Sequence, residues 1–119
     1  MTNSSGVLLH MCSAEEWVSA QASGFRRPAD YDETGFIHLS TPEQVHLPAG
    51  RLFAGRRDIV LLVLDPELLA SPVRWEPGVA DDPESMLFPH LYGPLPSAAV
   101  TAVQGYLPDS DGSFAPPAL

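Results

Sequence analysis

The run "DIVLLVLD", residues 58–65, constrains the fold of this chain more than any other stretch. It places six consecutive apolar residues between two aspartates. A strand with one face in water alternates apolar and polar residues, but this run is apolar on both faces. It therefore predicts a strand that is covered on both sides and lies in the centre of a sheet.

Five further stretches predict extended structure, because each has an apolar run bounded by turn-forming residues. They cover residues 7–12, 35–40, 72–76, 87–96 and 98–107. Three prolines interrupt the segment 87–96, so it is expected to be extended but irregular.

The first predicted helix follows residues 7–12. Ser13 is a good N-cap, and Glu16, three residues later, completes a capping box. Gly24 is expected to end this helix, because glycine readily adopts the left-handed conformation found at helix C-termini.

A second helix is predicted to begin at Thr41. Thr41 would be its N-cap, and Pro42 would occupy the first helical position, where a missing N–H is harmless. Pro48 and Gly50 are expected to shorten or bend this helix. The polar segment before it, residues 25–34, contains Pro28 and is expected to be a loop.

Strands outnumber helices in this interpretation, and both short helices come in the N-terminal half. The sequence therefore predicts an α+β fold with a small mixed or antiparallel sheet. A chain of 119 residues suffices for one domain, residues 1–119, with one core. Residues 1–6 and 108–119 are expected to be irregular tails.

The charge balance excludes general nucleic-acid binding. The net charge is −9, from 15 acidic and 6 basic residues, whereas nucleic-acid binding needs a cationic face. No apolar run is long enough to cross a bilayer, so no membrane association is expected. The N-terminus has no basic residue before its short apolar run, and Cys12 is the single cysteine. A cytoplasmic protein, either a monomer or a homodimer, is the expectation.

Candidate chemistry begins with His38, the one ionisable residue in the predicted strand 35–40. Alternation places Phe36, His38 and Ser40 on one face, beside the helix expected to start at Thr41. A helix N-terminus attracts anions, so His38 and Ser40 can form the wall of a binding site there. The alternative is a buried histidine bonded to a backbone carbonyl, with Ser40 as an ordinary capping residue.

Glu76 ends the predicted strand 72–76, directly after Trp75. A carboxylate beside a large apolar ring can have a raised pKa and act as an acid or a base. The alternative is a surface ion pair with Arg74, which shares the same strand face.

His90 and Tyr92 share one face of the segment 87–96. A proline-restricted, aromatic segment with a histidine suits ligand binding, and it equally suits an irregular edge strand. His10, in the first predicted strand, either faces the same cleft or packs in the core. No histidine pair has the close spacing of metal ligands, so no metal site is predicted.

The blocks "GFIHLSTPEQV", "RLFAGRRDIVLLVLDPELL", "VRWE", "FPHLYGPL" and the closing "DG.F" resemble the bacterial domain-of-unknown-function 952 family over nearly the whole chain. The biochemical role of that family is not established. Its fold is similar to a minimal ADP-ribosyltransferase fold, which has a split sheet whose cleft binds NAD or ADP-ribose in active members. The resemblance thus implies a split sheet, with NAD or an ADP-ribose-like compound as a candidate ligand.

The stretch "FIHLS", followed by a helix and "DIVLLVLD", is also similar to RNA 2′-phosphotransferases, which share that fold. His38 matches their cleft histidine. Those enzymes have basic residues just before this segment, where this chain has Asp32 and Glu33, so an RNA substrate is not expected. Glu76 is the nearest counterpart of the late glutamate in ADP-ribosylating enzymes.

The resemblance implies that the segments around His38, Glu76 and His90 line one cleft. An enzyme acting on a small polar or nucleotide-like molecule is the leading hypothesis, with a non-catalytic binding module and an interaction protein as alternatives. Residues then take three expected roles: an acid–base pair with an orienting carboxylate (His38, His90 and Glu76), a site for an anionic group (Arg74, Ser40 and Thr41), and cleft walls (Phe36, Trp75, Tyr92 and His10).

Overall fold

The computed structural model describes residues 6–77 and 86–119, and in them the chain forms a small α+β fold with antiparallel sheets. Two short 3₁₀ turns, Pro66–Leu68 and Ser97–Ala99, lie between strands. The strands and helices, in chain order, are β1 Leu8–Ser13, α1 Ala14–Ser23, β2 Phe25–Arg26, α2 Tyr31–Thr34, β3 Ile37–His38, α3 His46–Phe53, β4 Ile59–Leu64, β5 Val73–Pro77, β6 Leu87–Leu91, β7 Leu95–Pro96 and β8 Val100–Gly105.

Strand β4 lies between β1 and β8 in the first sheet, as its sequence predicts. Leu62 and Leu64 pack into one core cluster, while Ile59 and Leu61 pack into a second cluster. All four side chains are at most 1 % exposed. The run is apolar on both faces because each face of β4 belongs to a different part of the core.

A second sheet has the order β3-β6-β5, and β3 connects it to the first sheet. Ile37 and His38 pair with β6, and the next residues continue toward β1. There Leu9 and Ser40 exchange two backbone hydrogen bonds of 2.8 Å. The segment 37–40 therefore joins two sheets that otherwise have separate strands. Strands β2 and β7 form a small third sheet.

Helix α1 has the predicted ends. The Ser13 hydroxyl accepts a hydrogen bond from the Glu16 amide at 3.0 Å, and the Ser13 amide donates to the Glu16 carboxylate at 2.8 Å. Gly24 ends the helix with a φ of 91°, a conformation that disfavours side chains larger than hydrogen. None of the helices in the described residues is long and apolar enough to cross a membrane.

The predicted start of the second helix at Thr41 is wrong. The Thr41 hydroxyl donates to the Gln44 side chain at 3.1 Å, and α3 begins only at His46. The Thr41 carbonyl accepts the amides of residues 44 and 45, so the capping-like sequence forms a turn. Pro48 and Gly50 both lie inside α3. The helix tolerates Pro48 because this residue is in the first turn, where its missing N–H would have no helical acceptor.

Two segments that were expected to be irregular contain more structure than predicted. Residues 25–34, expected to be a loop, contain β2 and the one-turn helix α2. Residues 108–119 contain no helix or strand, yet Phe114 is buried against Tyr106. Of the other predicted tail, residues 1–6, only Gly6 lies within the described residues.

Truncating a side chain on β4 tests its position between the two core clusters. Leu62→Ala is expected to lower the free energy of unfolding by about 2–5 kcal/mol, because it leaves a cavity in a fully buried site. Leu68→Ala, at a half-exposed position, should change it by less than about 0.5 kcal/mol. Urea denaturation measures both; equal effects would contradict the central placement of β4.

Candidate functional site

Four rings lie together on one face of the second sheet and form what we term the ring cluster: Phe36, His38, His90 and Tyr92. His38 and His90 are direct cross-strand partners on β3 and β6, and their ring centroids are 5.0 Å apart. Phe36 stacks on His90 with a centroid distance of 4.1 Å and lies 5.3 Å from the Tyr92 ring. Antiparallel pairing thus brings together two histidines that are distant in sequence.

Glu76 connects two members of the ring cluster. Its Oε1 atom lies 2.9 Å from His90 Nδ1 and accepts a 2.6 Å hydrogen bond from the Tyr92 hydroxyl. The hydrogen bond from Tyr92, and after it the one from His90, lowers the pKa of Glu76. The hydrogen bond between Tyr92 and Glu76 also raises the pKa of Tyr92. Glu76 is therefore a carboxylate at neutral pH, and His90 Nδ1 is the donor in their hydrogen bond.

The other ring nitrogen of His90 has no comparable contact. His90 is 2 % exposed, and its Nε2 atom has no hydrogen-bond partner within residues 6–77 and 86–119. A buried polar atom without a partner costs about 1–3 kcal/mol, so such atoms are uncommon. The arrangement is that of a histidine held by a carboxylate, with its second ring nitrogen unpartnered among the described residues.

His38 is not a core histidine, because about half of its side chain (48 %) is exposed. Its Nε2 atom lies 3.9 Å from the Asp30 carboxylate. Partial burial and the nearby His90 lower the pKa of His38, and this outweighs the opposite effect of Asp30. His38 is therefore neutral at pH 7 and accessible to a ligand.

His10 is buried and touches the backbone that carries His38. Its Nδ1–H donates to the His38 carbonyl at 2.8 Å, and its Nε2 accepts from Arg26 Nε at 3.1 Å. These partners require the neutral ring, since a carbonyl only accepts and a guanidinium only donates. Burial, followed by the positive charge of Arg26, lowers the pKa of His10 to about 4. Arg26 also pairs with Glu16 at 3.4 Å.

A cavity of about 280 Å³ lies beside His38. Its floor comes from the junction of the two sheets, one wall from helix α3, and the other from residues 26–30. Pro48, Arg51 and Leu52 face it from α3, because residues three and four positions apart share a helix face. Of the residues predicted for the site, three line the cavity: His10, His38 and Ser40.

The other predicted residues lie elsewhere. Arg74 places its guanidinium 5.0 Å from the centre of the Tyr92 ring, and Glu76 bonds to His90 and Tyr92. Trp75 pairs with Pro89, on the sheet face opposite the ring cluster, and is half exposed. Thr41 is in the turn before α3, so the anion site expected at a helix N-terminus there is not formed.

Three charged residues of the cavity were not among the predicted site residues: Arg26, Asp30 and Arg51. All three line the cavity with His38. No short motif contains them, and only their tertiary placement brings them together. The spacing of Pro48, Arg51 and Leu52 on α3 was the one local signal available. Among the described residues, no group of three His, Cys, Asp or Glu side chains is suited to hold a metal ion.

These features define a small α+β protein with a histidine-lined cavity at the junction of two sheets. The chain belongs to the DUF952 family of proteins of unknown function, whose family model matches residues 11–103. Two crystal structures and a solution NMR structure of protein CC0527 from Caulobacter crescentus have the same fold.

One CC0527 crystal structure has a TM-score of 0.78 and 34% identity, over 92% of this chain and 93% of that chain. The crystal structure of a CC0527 double mutant gives a TM-score of 0.77 with 33% identity at the same coverage. The solution structure gives 0.75 with 34% identity, over 92% of this chain and 91% of that chain. No curated protein matches the chain.

The hydrogen bonds of His10 predict a pH dependence of stability. The unfolded chain binds a proton at His10 below pH 6.5, whereas the folded protein does so only near pH 4. Lowering the pH from 6.5 to 4 therefore favours unfolding, by about 3 kcal/mol in total from this residue. Denaturant unfolding at a series of pH values should show a flatter profile for His10→Asn, which has no titrating ring. Identical profiles for the two proteins would contradict the neutral, buried state of His10.

Removing the Tyr92 hydroxyl tests the Glu76 network. In Tyr92→Phe the pKa of Glu76 should rise, because the carboxylate loses its strongest hydrogen bond. Side-chain carboxyl NMR titration measures this value directly. Tyr106→Phe is the matched control, since the Tyr106 hydroxyl bonds to the Ala115 carbonyl instead. A Glu76 pKa that stays unchanged in Tyr92→Phe would mean that this hydrogen bond is absent in solution.

Proposed function

We propose that the protein is an enzyme acting on a small polar or nucleotide-like molecule, and that His38 removes a proton from it. The observation that carries this proposal is the position of His38, whose half-exposed, neutral ring faces a cavity while its backbone is held by His10. A neutral imidazole accepts a proton at pH 7, and its conjugate acid returns one.

His90 and Glu76 support this chemistry from behind His38. Glu76 fixes the tautomer and orientation of His90 through the 2.9 Å hydrogen bond. The His90 ring packs edge-on against His38, with an interplanar angle of 82°. Glu76 and His90 are then positioning residues, since His90 is buried and does not line the cavity. Only a rearrangement that exposes its Nε2 atom would make His90 the second acid–base group.

The fold also suggests ligands to test first. We propose that the two sheets joined at Leu9 and Ser40 represent a reduced ADP-ribosyltransferase-like fold, with the cavity at the point where the sheets separate. The shared segment 37–40 and the location of His38 beside this cavity support the proposal. NAD and ADP-ribose are therefore the first ligands to screen.

A binding module without turnover is the second candidate. The low exposure of His90 favours it, since at 2 % exposure this ring does not reach a ligand without a rearrangement. In that case the hydrogen bonds of Glu76 stabilise the cavity, and His38 only donates or accepts a hydrogen bond. The two candidates share a ligand and differ in product formation.

Turnover assays on His38 variants distinguish the candidates. Wild-type protein is incubated with NAD, ADP-ribose, phosphosugars and acidic metabolites, and products are followed by mass spectrometry. His38→Asn should reduce kcat/KM by about 10²–10⁴-fold, the usual contribution of a general base. His46→Asn, which removes a histidine outside the cavity, should have little effect. Binding of a compound without any product, in both wild type and His38→Asn, would leave the binding module as the function.

The pH profile gives an independent check on His38. Its pKa in the folded protein lies below 6.5, and a general base must be unprotonated. The kcat/KM of the active compound should therefore fall as the pH drops through the pKa of His38 and level off at higher pH, with its midpoint below pH 6.5. A rate that rises with acidification would instead assign His38 the role of a general acid.

A further inference from the structure

The cavity beside His38 has one apolar wall. Helix α3 provides Pro48, Leu52 and Phe53, and Phe88 adds to it from β6. Leu52 is 66 % exposed although it borders this cavity, so its side chain is largely in contact with water. An apolar group lying in the cavity would remove that surface from water, which is favourable by about 25 cal/mol per Å².

Charged side chains also line the cavity. Two arginines and one aspartate line the cavity, in a chain whose net charge is −9. Arg26 is held in place by Glu16 and His10. Arg51 is close enough to His38 for its positive charge to lower the pKa of that histidine. Guanidinium groups match the geometry of phosphate and carboxylate, so the two arginines favour an anion, whereas Asp30 on the same lining opposes one.

The volume limits the size of the bound group. A cavity of about 280 Å³ is at the lower end of the range of about 300–1,000 Å³ that is usual for ligand pockets, so it suits a compact compound. A dinucleotide would place only one of its parts inside and leave the remainder on the surface.

From the apolar wall, the arginines and the volume, we infer that the cavity binds a compact organic anion. Its apolar body packs against Leu52 and Phe53, and its phosphate or carboxylate group binds Arg26 and Arg51. This inference rests on the proposed function for the location of the site, and it adds the chemical class of the ligand. The compound itself is either free or the terminal part of a larger molecule.

Four small probes test separately whether the cavity binds an apolar ring and whether it binds an anionic group. Phenyl phosphate and benzoate combine a compact ring with an anion, inorganic phosphate is the anion alone, and benzyl alcohol is a neutral ring compound. Amide chemical shifts of the full chain report where and how tightly each probe binds. Phenyl phosphate or benzoate should perturb α3 and residues 26–30 at concentrations where inorganic phosphate and benzyl alcohol have little effect.

Two pairs of variants assign the contacts. Arg51→Gln should weaken the binding of the anionic ring compounds about tenfold or more, because it removes a charged partner. The control, Arg57→Gln, changes an exposed arginine outside the cavity and should leave binding unchanged. Leu52→Asn should weaken phenyl phosphate without affecting inorganic phosphate, whereas Leu68→Asn, also exposed, should affect neither.

Failure of this inference is separable from failure of the proposed function. Equal binding of inorganic phosphate and phenyl phosphate, or binding that Arg51→Gln does not change, overturns the ligand class. Tighter binding of benzyl alcohol than of phenyl phosphate also overturns the ligand class. A neutral substrate turned over in a His38-dependent reaction would overturn it while upholding the enzyme. Anion binding as inferred, with no turnover of any compound, would uphold the ligand class alone.

Discussion

The structure depends on the segment of residues 37–40, which pairs with a different sheet on each side. Ile37 and His38 pair with β6, and Ser40 pairs with Leu9 on β1. A backbone shared in this way fixes the two sheets relative to each other, because moving either one breaks hydrogen bonds that are protected in the core. The ring cluster and the cavity exist at the place where this segment passes from one sheet to the other.

Three histidines at this junction have three different environments, and the differences follow from their neighbours. His90 is buried and bonded to a carboxylate, and His10 is buried between a carbonyl and a guanidinium. His38 lies between them along the sheets but is half exposed. One residue type therefore supplies an oriented ring, a neutral structural link and an accessible ring beside a cavity.

Charge is distributed in a way that the overall composition conceals. The chain has a net charge of −9 and no lysine, yet two of its six arginines line the cavity with His38. Glu16 completes the capping box of α1 and also pairs with Arg26, so the first helix positions a cationic group at the cavity. An acidic composition is thus compatible with cationic side chains that are concentrated at one cavity.

Local sequence determined the elements whose signals are short-range: the buried strand β4, the capping box of α1 and its glycine end. It did not determine where α3 begins, since the turn at Thr41 and a helix N-terminus use the same residue types. The pairing of Glu76 with His90 depends on the register of β5 against β6, and the cavity depends on packing α3 beside residues 26–30. Such contacts join positions far apart in the chain, and sequence periodicity does not encode register or packing partners. The histidines were therefore visible in the sequence, whereas their different environments were decided only by the tertiary structure.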